Sequence, residues 1–321
     1  MNATPETRAR YREALPQLAD VPFISDGGIE TTLIFHDGLE LPHFAAYDLL
    51  TREGGAEALR RYFEPYVEVA RDGGVGIVLE TATWRANADW AERLGHGPEE
   101  LAELNRMAVE LLEEVRADFE TASTPIVISG CIGPRGDGYV VGESMTAEEA
   151  EEYHAQQIGT FAETAADLVT AITMTYADEA VGIVRAATAA GLPVVISFTV
   201  ETDGRLPSGQ TLREAIEEVD ARTEGAAAYF MINCAHPTHF DHVLDGDAPW
   251  AARIRGLRAN ASTQSHAELD EAEELDEGNP DELASDYVAL RDRLPELHVL
   301  GGCCGTDHRH VGAMCGAWLG S

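Results

Sequence analysis

Short runs of β-branched and other apolar residues recur from end to end of the chain. Between them lie longer stretches whose apolar positions repeat every three to four residues. The first pattern suits strands buried on both faces, and the second suits helices with one apolar side. Eight strands are predicted, over 21–27 ("VPFISDG"), 75–83 ("VGIVLETAT"), 125–133, 167–174, 193–200, 227–235 ("AAYFMINCA"), 253–262 ("RIRGLRANAS") and 297–304 ("LHVLGGCC"). Helices are expected over 55–74, 98–119, 146–167, 177–192 and 211–223, with Thr146 as the N-cap of the third. Eight β-then-α units predict an α/β fold, a (β/α)8 TIM barrel, with a doubly wound sheet as the alternative. The strand ends separate the two. Asp26, Glu80, Thr81, Cys131, Asn233, Cys234, Asn260, Cys303 and Cys304 all fall at C-terminal ends, and barrels draw their sites from many strands at that face. No Pro- or Ser-rich linker interrupts the alternation, so a single domain over residues 1–321 is expected.

Charge narrows the partners. The chain carries 57 acidic and 22 basic residues, all of the latter Arg, for a formal net charge of −35. A field of that sign repels phosphates, so neither nucleic acid nor an anionic membrane is an expected partner. The acidic residues concentrate in 268–282 ("ELDEAEELDEGNPDE"), where nine of fifteen are Asp or Glu; this run reads as a solvated helix or loop face. No apolar stretch approaches the ~20 residues of a membrane span, and the first twenty residues lack a signal-peptide core. Cytoplasmic location is the expectation.

The cysteines bear the chemistry. Cys303 and Cys304 are adjacent, and an unstrained disulfide wants ~5.5 Å between Cα atoms, so the pair does not suit bonding to itself. In a barrel Cys234, at the end of strand six, shares one rim with both. Three thiolates and one exchangeable position form an open zinc site, and soft sulfur ligands select Zn2+ over Mg2+ or Ca2+. In a reducing compartment such a cluster reads as metal-binding rather than disulfide-forming. Gly301, Gly302 and Gly305 supply the backbone freedom to aim neighbouring sulfurs at one point. Cys131 and Cys315 read as core residues. His236, His239 and His242 are spaced i, i+3, i+6 across Pro237 and read, like His308 and His310, as decoration of the next helix rather than ligands. "GGVGIV" (73–78) precedes a strand and so is no dinucleotide loop.

Three segments, "ISDGGIETTL" (24–33), "FMINCAHP" (230–237) and "GGCCGT" (301–306), together with 194–216, resemble the homocysteine S-methyltransferase family over residues 22–312. These are zinc-dependent barrel enzymes that include betaine-, S-methylmethionine- and cobalamin-linked members. The resemblance implies Cys234, Cys303 and Cys304 as zinc ligands, with homocysteine sulfur at the fourth position. It implies methyl transfer from S-methylmethionine or S-adenosylmethionine to give methionine. The partners are then a small-molecule thiol and a methyl donor. Asp26, Gly27, Gly28 and Glu30 would receive the amino-acid end of the acceptor, with Thr81, Asn233 and Asn260 as further rim contacts. One departure stands out: Ile172 occupies the strand-four position where the family commonly has Glu, and Glu80 on strand two is the available substitute. Betaine is disfavoured as donor because no aromatic cage is evident, Trp84 and Trp90 reading as packing. A related enzyme with another thiol or donor, or a zinc hydrolase, is the alternative.

Overall fold

Eight parallel strands close in chain order, each paired to the next and the last back to the first, in a computed structural model that describes residues 9–272 and 274–321. They are β1 (Phe23–Ser25), β2 (Gly76–Glu80), β3 (Ile126–Ile132), β4 (Leu168–Met174), β5 (Val194–Phe198), β6 (Tyr229–Asn233), β7 (Ile254–Ala259) and β8 (Val299–Gly302). Each lies inside its predicted segment, and all but β4 end earlier, because the polar residues beyond the last ladder pair leave the sheet to build the rim. The arrangement is the expected (β/α)8 barrel, not the doubly wound sheet.

Ten helices accompany the strands among the described residues. They are α1 (Ile29–Thr31), α2 (Gly55–Gly73), α3 (Ala88–Leu94), α4 (Pro98–Phe119), α5 (Ala147–Ala162), α6 (Ala177–Ala189), α7 (Leu212–Thr223), α8 (His266–Asp270), α9 (Pro280–Ala289) and α10 (His308–Gly320). Local signals set their ends. Thr146 caps α5 as predicted, its hydroxyl accepting from Glu149 N while the Glu149 carboxylate accepts from Thr146 N. Pro98 opens α4, whose Leu101, Leu104, Ala108, Leu112 and Val115 face the sheet. The β6–β7 connection departs from the alternation: 3-10 turns at Pro237–His239, Asp241–Val243 and Ala251–Arg253 replace a regular helix. That stretch lacks an amphipathic run and contains Pro237 and Gly246. No helix among the described residues is long and apolar enough to cross a membrane. Residues 1–8, part of the N-terminal segment read above, and Glu273 in the acidic run lie outside the described residues.

The barrel interior changes character along its axis. At the N-terminal end, Phe23, Val78, Val127, Leu168, Val195, Tyr229, Met231 and Val299 pack together under Leu15. Side chains alternate across a strand, so inward residues recur every second position. Two residues on from that apolar layer stand Ser25, Glu80, Ser129, Thr170, Ser197 and Asn233, all buried, with Arg258 beside them on β7. This polar layer is the floor of the cavity at the C-terminal mouth.

Candidate active site

Cys234 and the Cys303–Cys304 pair reach one point by curling over the end of β7 from opposite sides. Cys234 N donates to Arg258 O (3.1 Å), and Cys303 N donates to Ala259 O (2.8 Å). Cys234 takes a left-handed backbone, φ 52°, which for a residue with a Cβ persists only when its surroundings over-determine it. Gly28 passes so close that a Cβ there would lie 2.5 Å from Cys303 O. Gly301 and Gly302 serve close approach rather than a turn: they sit within β8, and Cβ atoms would meet Ser25 Oγ and the Thr306 side chain. Gly305 supplies the turn, at φ 78°.

The three Sγ atoms lie within 4.8 Å of one another. A tetrahedral zinc site with Zn–S bonds of ~2.3 Å spaces its sulfurs ~3.8 Å apart, so the cluster has the composition and size to hold such an ion. In this structure Cys234 and Cys303 are bonded to each other, with Cα atoms 5.4 Å apart, and Cys304 is free. The vicinal pair stays unbonded, and the curl over β7 brings Cys234 and Cys303, 69 apart in sequence, together with Cys304 at one point. A disulfide sulfur carries no thiolate charge, so metal binding requires this bond reduced. The Tyr139 hydroxyl donates to Cys234 Sγ (3.5 Å) and lies 3.6 Å from Cys304 Sγ. Its ring packs 4.4 Å from that of His266, which hydrogen-bonds Cys234 O. Burial pushes the Cys304 thiol above its usual range.

Beside the sulfurs opens a cavity of about 320 Å3. Asp26, Gly27, Gly28, Glu30, Glu80, Thr81 and Asn260 line it as predicted, and Asn233 does not. Several have commitments the sequence hides. Asp26 Oδ1 accepts from Arg258 Nη1 (2.7 Å), and its Oδ2 lies 3.0 Å from the Tyr62 hydroxyl. It is therefore not an open carboxylate for an ammonium group. Gly28 N already donates to Thr306 O (3.0 Å), so it offers nothing to a carboxylate. The Thr81 hydroxyl accepts from Cys131 N (2.9 Å) and bonds the Thr83 hydroxyl. Asn233 is a positioning residue instead of a substrate contact: its amide brackets Thr173, accepting from Thr173 N (3.0 Å) and donating to Thr173 Oγ1 (2.9 Å). Thr173 is left-handed at φ 68°, and the bracket satisfies its displaced N–H. Asn260 Oδ1 and Glu80 Oε2 have no hydrogen-bond partner among the described residues.

Electrostatics follow from burial. Burial works against the Arg258 charge, but Asp26 and then Glu80 more than offset it, and its pKa rises. Burial pushes the Glu80 carboxyl up to about 7, against the pull of Arg258. Glu30, half-buried at the start of α1, is likewise pushed up to about 7 by desolvation. Cys131 lines the cavity as well as the core, and burial raises its thiol well above the usual range.

Aromatic side chains gather at the mouth after all. Phe35, Phe44 and Trp84 line it, and Arg85 stacks between Trp84 (4.0 Å) and Trp90 (3.9 Å). The acidic run is not merely a solvated face: Leu269 and Leu275 are half-buried and line the cavity together with Ala272, Glu274 and Asp276. Glu277 staples it down, its carbonyl accepting from His310 Nε2 (2.8 Å) and its carboxylate meeting His36 (2.6 Å) and Arg309 (3.0 Å). His236 caps the first 3-10 turn, and Cys315 is buried in α10, both as read. Arg258, Tyr62, Tyr139 and Arg85 escaped the sequence reading. Arg258 alone left a trace there, a charge in the inward phase of a buried strand.

The model for homocysteine S-methyltransferases matches residues 23–318. The chain belongs to the homocysteine S-methyltransferase family. As a member of that family it is a methyltransferase, and the chemistry is thiol methyl transfer. Among relatives, the selenocysteine Se-methyltransferase of Brassica oleracea var. italica is 24% identical, covering 98% of this chain and 93% of its own. Homocysteine S-methyltransferase 2 of Arabidopsis thaliana is 24% identical over 91% of each. The fold is that of the homocysteine methyltransferase MmuM from Escherichia coli. Its metallated form superposes with a TM-score of 0.71 at 18% identity, covering 94% of this chain and 98% of that one. Its oxidized form gives 0.73 at 17% identity, covering 95% and 99%.

Proposed function

We propose that this methyltransferase moves a methyl group from a sulfonium donor, S-methylmethionine or S-adenosylmethionine, to homocysteine sulfur, giving methionine, with Zn2+ held by Cys234, Cys303 and Cys304. The observation that carries the reading is the convergence of three sulfurs at the mouth of a cavity of amino-acid size. The metallated state of MmuM supports a metal centre in this chain also. When bound, Zn2+ holds a thiol as thiolate at neutral pH, where a free thiol with pKa ~8.5 is mostly protonated.

The chain's residues supply placement. The reduced cysteines fix one end of the acceptor, and the polar floor receives the other. The sulfur lone pair forms the new S–CH3 bond as the donor's C–S bond breaks, its electron pair staying on the departing thioether; the acceptor's thiol proton has already left. Holding two reactants in line converts a bimolecular encounter into a step within one complex. A cationic donor would enter past Phe35, Phe44 and Trp84, with Asp137, Glu274 and Asp276 also on the lining. Cytoplasmic placement belongs to the same reading, since thiols there are kept reduced.

The test is methionine formation from homocysteine with S-methylmethionine, S-adenosylmethionine and betaine, each with and without a chelator. Activity that survives complete metal removal refutes the metal-held thiolate. Transfer from betaine alone refutes the sulfonium donor. Retention of full metal content in Cys303→Ala refutes the three-sulfur set.

A further inference from the structure

Three arginines are buried among the described residues: Arg85, Arg116 and Arg258. Two of them are paired, Arg116 with Asp167 (2.8 Å) and Arg258 with Asp26 (2.7 Å). Arg85 has no ion-pair partner among the described residues, in a chain with 57 acidic side chains. Its Nη1 donates to Gly136 O (3.0 Å), and its Nε has no acceptor among the described residues. Asp137 and Glu30 act on it through space without touching it. A buried guanidinium without a counter-charge is costly, and a buried donor without an acceptor adds to the cost. The side chain is nonetheless held in place. Trp84 and Trp90 sandwich it at 4.0 and 3.9 Å. Each indole is fixed in turn, Trp84 Nε1 donating to Ile172 O (3.3 Å) and Trp90 N to Asn87 Oδ1 (3.3 Å). Arg85 is 6% exposed and lines the cavity, where the other arginine, Arg258, is already committed to Asp26.

We infer that Arg85 is the anion subsite of the methyl donor, receiving the carboxylate of an amino-acid sulfonium at the mouth of the barrel. The inference rests on the methyl-transfer reading above and adds to it the group by which the donor is recognised. Location assigns the donor rather than the acceptor. Arg85 lies on the loop that leaves β2 after Glu80, and Gly136 belongs to the loop that carries Tyr139 to the sulfurs. The acceptor reaches from the sulfurs to the polar floor, so the wall beside that loop is left for the second substrate. Charge agrees. S-methylmethionine carries an ammonium, a sulfonium and a carboxylate, so the acidic chain draws it in as a cation. Its single anionic group then meets the lining arginine that has no carboxylate partner. A guanidinium held flat between two rings presents its free edge in a fixed orientation, which suits a planar carboxylate.

The test uses the reduced, metal-loaded protein with homocysteine and gives each donor beside its counterpart lacking the carboxylate. S-methylmethionine is set against (3-aminopropyl)dimethylsulfonium, and S-adenosylmethionine against its decarboxylated form. Arg85→Gln should raise KM for the carboxylate-bearing donor about 10–100-fold, the strength of a charge-assisted hydrogen bond. KM for the decarboxylated donor should change little, and its turnover shows that the variant is folded. Arg85→Lys, which keeps the charge but not the fork, should recover part of the loss. Calorimetry of the same sulfonium compounds with the metal-free protein reads the contrast without chemistry. Equal weakening of both members of a pair, as a purely structural stack of Arg85 on Trp84 and Trp90 predicts, overturns the inference. So does an unchanged KM for the carboxylate-bearing donor. A loss confined to the acceptor, with KM rising for homocysteine but not for 3-aminopropane-1-thiol, also overturns it, because the carboxylate at Arg85 is then the acceptor's. If the unaltered protein neither binds any of these sulfonium compounds nor takes a methyl from them, the functional reading fails and takes this inference with it.

Discussion

The Arg258 guanidinium and the Asp26 carboxylate meet at 2.7 Å in the cavity floor, from β7 and β1, across 232 residues of sequence. Both side chains are buried. Arg258 also donates to Gly27 O (3.0 Å) and Gly302 O (3.1 Å), so it ties the first and last strands together. Removing one member of a buried pair leaves the other charge uncompensated, at about 3–5 kcal/mol. Arg258→Met should therefore lower unfolding free energy by that order in chemical denaturation. Arg258→Met with Asp26→Asn should cost less than the sum of the single changes, a coupling that a double-mutant cycle reads directly.

Stability should depend on pH in a definite direction through Glu80. The Glu80 carboxyl sits at about 7 in the folded protein because of burial, against ~4.3 in an unfolded chain. Between those values the folded state holds a proton that the unfolded state has released. The group's contribution to stability is thus largest at and below ~4.3 and declines as pH rises toward 7. Unfolding free energy should therefore fall as pH rises from about 4 to 7, and Glu80→Gln should flatten that part of the profile.

Thiol counting separates the two states of the sulfur cluster. With Cys234 bonded to Cys303, free thiols reside on Cys131, Cys304 and Cys315. Titration in denaturant should find three thiols in the bonded state and five in the reduced one. The reduced protein should bind one equivalent of Zn2+ and the oxidised protein none. Equal metal binding in both states contradicts a site that needs all three sulfurs.

Gly28 is placed to test backbone proximity. A methyl group there would meet Thr31 Oγ1 and, at 2.5 Å, the Cys303 carbonyl. Backbone cannot swing aside as a side chain can, so Gly28→Ala should push the Cys303 loop off its position. The expected outcome is metal released more readily to a competing chelator, with the barrel's far-UV circular dichroism unchanged.

The barrel was legible because its signal is local: eight apolar runs, each next to its own amphipathic partner, report the fold without knowledge of any contact. Cys234, Cys303 and Cys304 were legible because the residue type itself narrows the chemistry. Asp26 and Asn233 show what was hidden. Their residue types suit a substrate, but barrel closure gives Asp26 to Arg258, and the left-handed turn at Thr173 consumes Asn233. Neither partner is a sequence neighbour. In the acidic run the carboxylates masked Leu269 and Leu275, whose inward orientation depends on the anchors at Glu277. The β6–β7 connection erred the other way, since the expected regularity of the fold suggested a helix where 3-10 turns stand.

The three sulfurs flank β7, two of them arriving on the strand that also closes the barrel onto β1. During synthesis the first of them emerges with β6, when no cavity floor is complete and no rim exists. The cluster can form only after residue 304 has been made and β8 has found β1. A chain halted anywhere earlier has the floor in pieces and fewer than three of the sulfurs, so capture of a metal ion by all three certifies a barrel translated to its last strand.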